Sequence, residues 1–196
     1  MNAILLAGGK SKRFKSNKAL AKYKGEALIK RIAKNLNKHF KNIYIVVDDK
    51  DKYTFLKEYQ LVEDIIPNKG PIGGKNTELK YSNTKYNYLT AVDMPLITGQ
   101  YLEIVKNWNQ GYDALVPKYN RKIEPLAGVY SKSCLEILRK NLENNKLSVI
   151  KFIEEINSKK ILIKDLLISK DIFCNVNYKS DLEKIKENDF GADKKV

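Results

Sequence analysis

Apolar residues fall along the chain in two alternating rhythms. Residues 3–7 and Ile43–Val47 are short continuous apolar runs, the second rich in β-branched side chains, and both read as strands buried on two faces. Between them Leu28, Ile29, Ile32, Ala33 and Leu36 recur at the spacing of a helix with one buried side. Residues 50–59 then read as a helix, 61–66 as a short strand, and 70–82 as a helix opened by Gly70-Pro71. A strand over 88–92, a helix over 98–109 and a strand over 113–116 follow. The second half is less regular, with strands over 125–130, 160–163 and 172–176 and helices over 132–142, 148–156 and 180–188. In the last helix Ser180 takes the N-cap and Glu183 the capping-box position. Such a β-α-β-α order predicts an α/β fold, three layers α/β/α around a mostly parallel sheet. Without a repeat or a Pro/Ser-rich linker, residues 1–190 read as a single domain, and 191–196 as a frayed tail.

Ligands of such sheets bind outside the carboxyl ends of the strands. Gly8-Gly9 follows the first strand, Asp48-Asp49 the second, Asp64 the third and Asp93 the fourth, so polar groups converge on one crevice. Glycine at Gly8 and Gly9 lets the backbone turn sharply and approach a ligand. A phosphate chain along that loop would meet backbone N–H groups, with Arg13 and Lys18 to neutralise it. A tight turn bearing solvated charges would use the same residues. Asp93 ends an apolar strand closed by Pro95, where a carboxylate needs a partner. Mg²⁺ shared with a nucleotide phosphate, the helix beginning near Thr98, and a lysine are the three candidates. Gly70-Pro71-Ile72-Gly73-Gly74 leaves room for a base or ribose and offers free helical N–H groups to an anion, though a Gly-Pro helix start requires neither. Glu124 precedes a strand, and Asn175 and Asn177 share one side of the strand expected at 172–176. Those two amides suit turn bonding, a metal or a phosphate.

Charge narrows the partners. Lys and Arg number 37 against 23 acidic residues, a net charge of +14, yet only four of the 37 are arginines and the lysines are scattered. Nucleic-acid binders concentrate their cations on one element, so nucleic acid is not the expected partner. The field instead favours the approach of small polyanions. The twelve tyrosines are spread through helices and strands and read as half-buried packing positions rather than stacking platforms. Cys134 and Cys174 lack a C-x-x-C and read as two buried, reduced thiols. His39 is the only histidine, which excludes histidine-based nucleophile activation and multi-histidine metal sites. No apolar run approaches ~18 residues, and the N-terminus enters a strand directly. The expectation is a soluble, cytoplasmic protein without a membrane partner.

In their order along the chain, these motifs resemble the MobA family, the molybdenum cofactor guanylyltransferases, whose fold is the glycosyltransferase-A-like, Rossmann-like nucleotidyltransferase fold. The family's opening motif stands here as Leu6-Ala7-Gly8-Gly9-Lys10-Ser11-Lys12-Arg13-Phe14-Lys15-Ser16-Asn17-Lys18-Ala19-Leu20. Glu63-Asp64 with Gly70-Pro71-Ile72-Gly73-Gly74, then Val92-Asp93-Met94-Pro95, the Glu-Pro-Leu pattern from Glu124 to Tyr130, and the Asn-x-Asn pattern from Asn175 to Leu182 complete it. Three departures stand out: Lys15 stands where the family usually has glycine, Phe14 where it usually has methionine, and Val47, Asp48 and Asp49 where it often has an asparagine that reads guanine. A carboxylate there still accepts from guanine N1–H and N2–H₂.

The resemblance implies transfer of GMP from Mg·GTP to the terminal phosphate of molybdenum-bound molybdopterin, with release of pyrophosphate. Leu6, Ala7, Gly8, Gly9 and Gly70 would line the nucleotide, and Asp64 would lie near its ribose or base. Arg13 and Lys18 would hold its phosphates, Asp93 the Mg²⁺, and Asn177 would be a second metal ligand. GTP and molybdopterin would be the partners, a transient complex with a molybdenum-insertion protein or a target apo-enzyme stays open, and a monomer is favoured. The alternatives are a relative using CTP or a sugar-phosphate acceptor, and a non-catalytic nucleotide-binding partner protein.

Overall fold

The computed structural model describes residues 1–8, 14, 16–64, 69–108 and 111–187. The first strand, β1 (Asn2–Leu6), leads through a loop to a small hairpin, β2 (Lys22–Tyr23) and β3 (Glu26–Ala27), and then to helix α1 (Leu28–Asn37). The hairpin turns on Lys24 (φ 49) and Gly25 (φ 83), a left-handed pair that the strand pairing of two residues on each side requires. Strands β4 (Ile43–Val47) and β5 (Gln60–Glu63) flank a 3₁₀ segment over Lys50–Leu56, shorter than the helix expected there. Helix α2 (Gly70–Tyr81), β6 (Tyr86–Ala91), α3 (Gly99–Lys106) and β7 (Ala114–Tyr119) follow. The remainder is β8 (Lys122–Ile123), β9 (Ala127–Ser131), α4 (Cys134–Glu143), α5 (Val149–Glu155), β10 (Ser158–Leu162) and α6 (Lys179–Glu187).

Among the described residues the main sheet runs β10-β7-β9-β6-β1-β4-β5, with β8 paired to β7. β5, β4, β1 and β6 are mutually parallel, while β9 is antiparallel to both β6 and β7. Consequently β7 points the same way as β6, and the start of β9 returns to the edge where β1, β4, β5, β6 and β7 end. Alternation along the strands divides the interior in two. Leu5, Ile45, Tyr88, Leu115 and Val129 face a core shared with α1, α3 and α6. Ile4, Val46, Leu89, Val116 and Tyr130 face a second core under α2, α4 and α5. This is the three-layer α/β/α arrangement expected, and each fully buried Ile or Leu contributes roughly 1.5–3 kcal/mol to it.

Four readings of the sequence need correction. The strand expected at 172–176 is instead a 3₁₀ turn over Lys170–Phe173 followed by chain that joins no sheet among the described residues. Ile172, Phe173 and Val176 are buried, so their apolar pattern records packing rather than a sheet ladder. Ser180 does not cap the last helix: Asp181 Oδ2 accepts from the N–H groups of Asn177 (2.9 Å) and Tyr178 (2.8 Å), and the helix starts at Lys179. Cys134 is buried, its thiol pushed up to about 12, but Cys174 is exposed. Seven of the twelve tyrosines (23, 44, 53, 86, 88, 101 and 130) are buried, not half-buried. Among the described residues no helix is long and apolar enough to cross a membrane.

Candidate active site

The end of β6 builds the centre of the crevice. Val92 N–H still pairs with the Leu6 carbonyl at 2.9 Å, and Met94 N–H then closes a turn on the Ala91 carbonyl at 3.1 Å. Met94 is fully buried and Leu96 and Ile97 nearly so, which anchors the turn and presents Asp93 between them and the strand. Lys18 reaches it from the loop after β1. That loop is held by Phe14, buried in the core, and by Asn17, whose Oδ1 accepts from Ala19 N–H at 3.0 Å while its Nδ2 donates to Tyr53 Oη at 2.9 Å. Lys18 Nζ lies 3.7 Å from Asp93 Oδ2, with the lysine side chain 11% exposed. Burial pushes the Asp93 carboxyl above its ordinary range, opposed by the Lys18 ammonium and more weakly by that of Lys122.

Asp93 Oδ1 is buried and has no hydrogen-bond partner among the described residues. A carboxylate oxygen desolvated in that way is costly unless something compensates it. The helix-cap alternative is excluded, because Thr98 itself caps α3 by accepting from Tyr101 N–H at 3.4 Å. A hard cation suits that oxygen, since oxygen donors are what Mg²⁺ takes, most of them from water and phosphate. Among the described residues no cluster of three or more His, Cys, Asp or Glu could cage a metal alone. The donor set suits an ion shared with a bound phosphate.

The C-terminal segment docks onto the same turn. Val176 N–H donates to the Asp93 carbonyl at 2.8 Å, which brings Asn177 alongside Asp93 although the expected strand is absent. Asp64 continues the edge, its N–H bonded to the Val47 carbonyl at 3.0 Å. It follows a strand three places from β6, roughly 14 Å away at the usual interstrand spacing. Leu6 ends β1, and Ala7 and Gly8 both donate to the Val46 carbonyl, at 2.9 and 3.1 Å. Gly8 needs no glycine conformation, and a Cβ there would meet only ordinary contacts, the nearest 3.7 Å away. Gly70 opens α2. Gly9 and Arg13 lie outside the described residues.

The MobA-like NTP transferase domain model matches residues 3–158. The chain belongs to this family. A probable molybdenum cofactor guanylyltransferase of Clostridium perfringens is 34% identical over 175 residues, covering 82% of this chain and 87% of the relative. Another from Carboxydothermus hydrogenoformans is 32% identical over 188 residues, covering 94% of each. The crystal structure of molybdopterin-guanine dinucleotide biosynthesis protein A from Archaeoglobus fulgidus superposes with a TM-score of 0.83 at 24% identity, covering 96% of this chain and 98% of that one. Membership makes the chain a nucleotidyltransferase, and the non-catalytic reading falls away.

Against the family pattern, Phe14 is a conservative change, since it fills the core. Asp48 and Asp49 are a larger one. Lys52 Nζ sits 3.1 Å from Asp48 Oδ2 and 3.5 Å from Asp49 Oδ2, and Asp49 Oδ1 also accepts from Asp51 N–H. Lys15 lies outside the described residues. Two features of the site escaped the sequence: Lys122, in a strand of two residues, and Lys75, fully buried on α2. Lys75 Nζ donates to the Pro125 carbonyl at 3.1 Å and lies 3.6 Å from the centre of the Tyr130 ring. A lysine directly after Gly73-Gly74 in an expected helix was the available signal for the second; the first had only its place two residues before Glu124.

Proposed function

We propose that this protein transfers GMP from Mg·GTP to the terminal phosphate of molybdenum-bound molybdopterin. A phosphate oxygen of the acceptor attacks the α-phosphorus, the bond to the bridging oxygen breaks, and pyrophosphate leaves with the bonding electrons. The observation that carries this reading is the Lys18–Asp93 pair, with the second carboxylate oxygen of Asp93 buried and without a partner among the described residues. Asp93, with Asn177 beside it, would hold the divalent ion, which when bound neutralises charge on the nucleotide phosphates. Lys18 and Arg13 would hold those phosphates, Leu6, Ala7, Gly8, Gly9 and Gly70 would line the nucleotide, and Asp64 would approach the ribose or base. An acceptor phosphate is already ionised, so positioning and charge neutralisation suffice and no general base is needed. The names of the two relatives and of the solved structure support guanine and molybdopterin as the chemistry. With it goes a cytoplasmic enzyme, favoured as a monomer, whose product would pass to an insertion protein or apo-enzyme through a transient complex.

One observation favours a second reading, the same transfer from CTP: both carboxylates after β4 are engaged with Lys52 rather than left to a guanine. A nucleotide panel separates the two. With Mg²⁺ and molybdopterin-loaded carrier, pyrophosphate release from GTP alone, abolished in Asp93→Ala, is the expected result. Release from CTP alone keeps the mechanism and overturns the base; no release with any nucleotide overturns the transfer itself.

A further inference from the structure

We infer that Lys122 holds the terminal phosphate of the acceptor, on the side of Asp93 opposite Lys18; the inference rests on the transfer reaction proposed above. β7 runs parallel to β6 and ends at the sheet edge that carries Asp93. It turns through Asn120 (φ 53) and Arg121 into β8, where Lys122 stands opposite Tyr119. Glu124 N–H then bonds the Pro117 carbonyl at 3.0 Å and closes the hairpin. Lys18 approaches Asp93 from the β1 flank of β6, whereas this hairpin stands on the β9–β7 flank.

The hairpin is built rigidly onto the Asp93 turn. The Tyr119 ring stacks on Phe173 with centroids 5.5 Å apart, and Phe173 meets Tyr101 edge-on at 5.2 Å. Three residues after Phe173, Val176 grips the Asp93 carbonyl. Behind Glu124, the Pro125 carbonyl accepts from both Lys75 Nζ (3.1 Å) and Tyr130 Oη (2.8 Å). Glu124 is thereby fixed and buried, at 6% exposure, with its Oε2 3.4 Å from Lys122 Nζ.

The Lys122 side chain is itself 58% exposed. A carboxylate that serves only a surface lysine gains nothing from desolvation, which is costly. Buried beneath the ammonium, Glu124 instead props a cation whose free side faces out. Its ammonium carries three N–H donors, pairs with Glu124 at 3.4 Å and lies 5.6 Å from the centre of the Tyr119 ring, which leaves donor capacity for a ligand. Its charge already acts on Asp93 through space. In-line transfer puts incoming and leaving oxygens on opposite faces of the phosphorus, which matches one lysine on each flank of Asp93. The ligand class is a phosphomonoester.

The test varies molybdopterin at saturating Mg·GTP while pyrophosphate release is followed for wild type, Lys122→Ala and Lys122→Arg. The alanine variant is expected to raise the KM for the acceptor roughly 10- to 100-fold, the loss of one charged hydrogen bond, with the KM for GTP within about twofold. Arginine retains the cation and most of the acceptor affinity. An unchanged acceptor KM in Lys122→Ala, or an equal rise for GTP, overturns the assignment. Failure of the underlying reaction looks different, because wild type then releases no pyrophosphate at all. Equilibrium dialysis of molybdopterin against wild type and Lys122→Ala then decides: loss confined to the variant supports Lys122, whereas equal retention or no retention overturns it.

Discussion

At the scale of single residues the site is one carboxyl, 25% exposed with a single oxygen buried, and a cation beside it. Lys18 is held by its own short turn, capped by Asn17 and braced on Tyr53, so its ammonium reaches Asp93 with little freedom left to lose. On the proposed function Lys18→Ala removes a phosphate contact and also the charge that counters the desolvation of Asp93. A fall in turnover of roughly 10²–10³-fold is expected, read as pyrophosphate release at saturating GTP. A loss below about tenfold would remove Lys18 from the phosphate-binding role. Asp93 was legible in the sequence because a carboxylate ending an apolar strand always poses the question of its partner. Lys122 was not, since the hairpin that carries it has no periodicity and its neighbours Tyr119 and Phe173 are distant in sequence. Cys174 misled for a related reason: it follows the buried Phe173 but its own side is turned out.

At the scale of elements, strands proved readable wherever both faces are buried, and Ile43–Val47 has the bounds expected from its apolar run. Where burial comes from ring packing instead of a ladder, as at 172–176, the same pattern gave a strand that does not exist. The antiparallel strand β9 illustrates what patterning cannot report. Its Gly128 sits where a Cβ would lie 2.7 Å from the Leu115 carbonyl oxygen of β7 and 3.1 Å from Val116 Cγ1. The backbone partner cannot swing aside as a side chain would, so Gly128→Ala must displace β9 against β7. A destabilisation of about 1–3 kcal/mol is expected from such overpacking, measurable as a lowered midpoint in urea. Because β9 begins just after Glu124, the same variant is expected to weaken acceptor binding before nucleotide binding. A midpoint unchanged from wild type would mean that the strands part without cost.

At the scale of the molecule, the helices of one face must hold together for β1 and β6 to keep Lys18 and Asp93 in register. His39, just after α1, places its Nδ1 2.6 Å from Glu103 Oε1 on α3, and Lys106 lies 3.6 Å from the same oxygen. Asn35 adds a neutral tie from α1 to the Ile97 carbonyl at 2.8 Å. The hydrogen bond from His39, aided by the Lys106 charge, holds the Glu103 carboxyl below the usual carboxylate range. A group whose folded-state pKa is depressed contributes stability above its unfolded pKa, about 4.3 for Glu, and loses it as pH falls through the lower folded value. Wild type should therefore melt above Glu103→Gln near neutral pH. The gap should begin to close below about pH 4 and vanish once the carboxyl is protonated. Asn35 makes its bond at every pH, so Asn35→Ala lowers the melting temperature by a pH-independent amount and serves as the control. A Glu103→Gln gap that stays constant into acid would show that the Glu103 charge plays no part in joining this face.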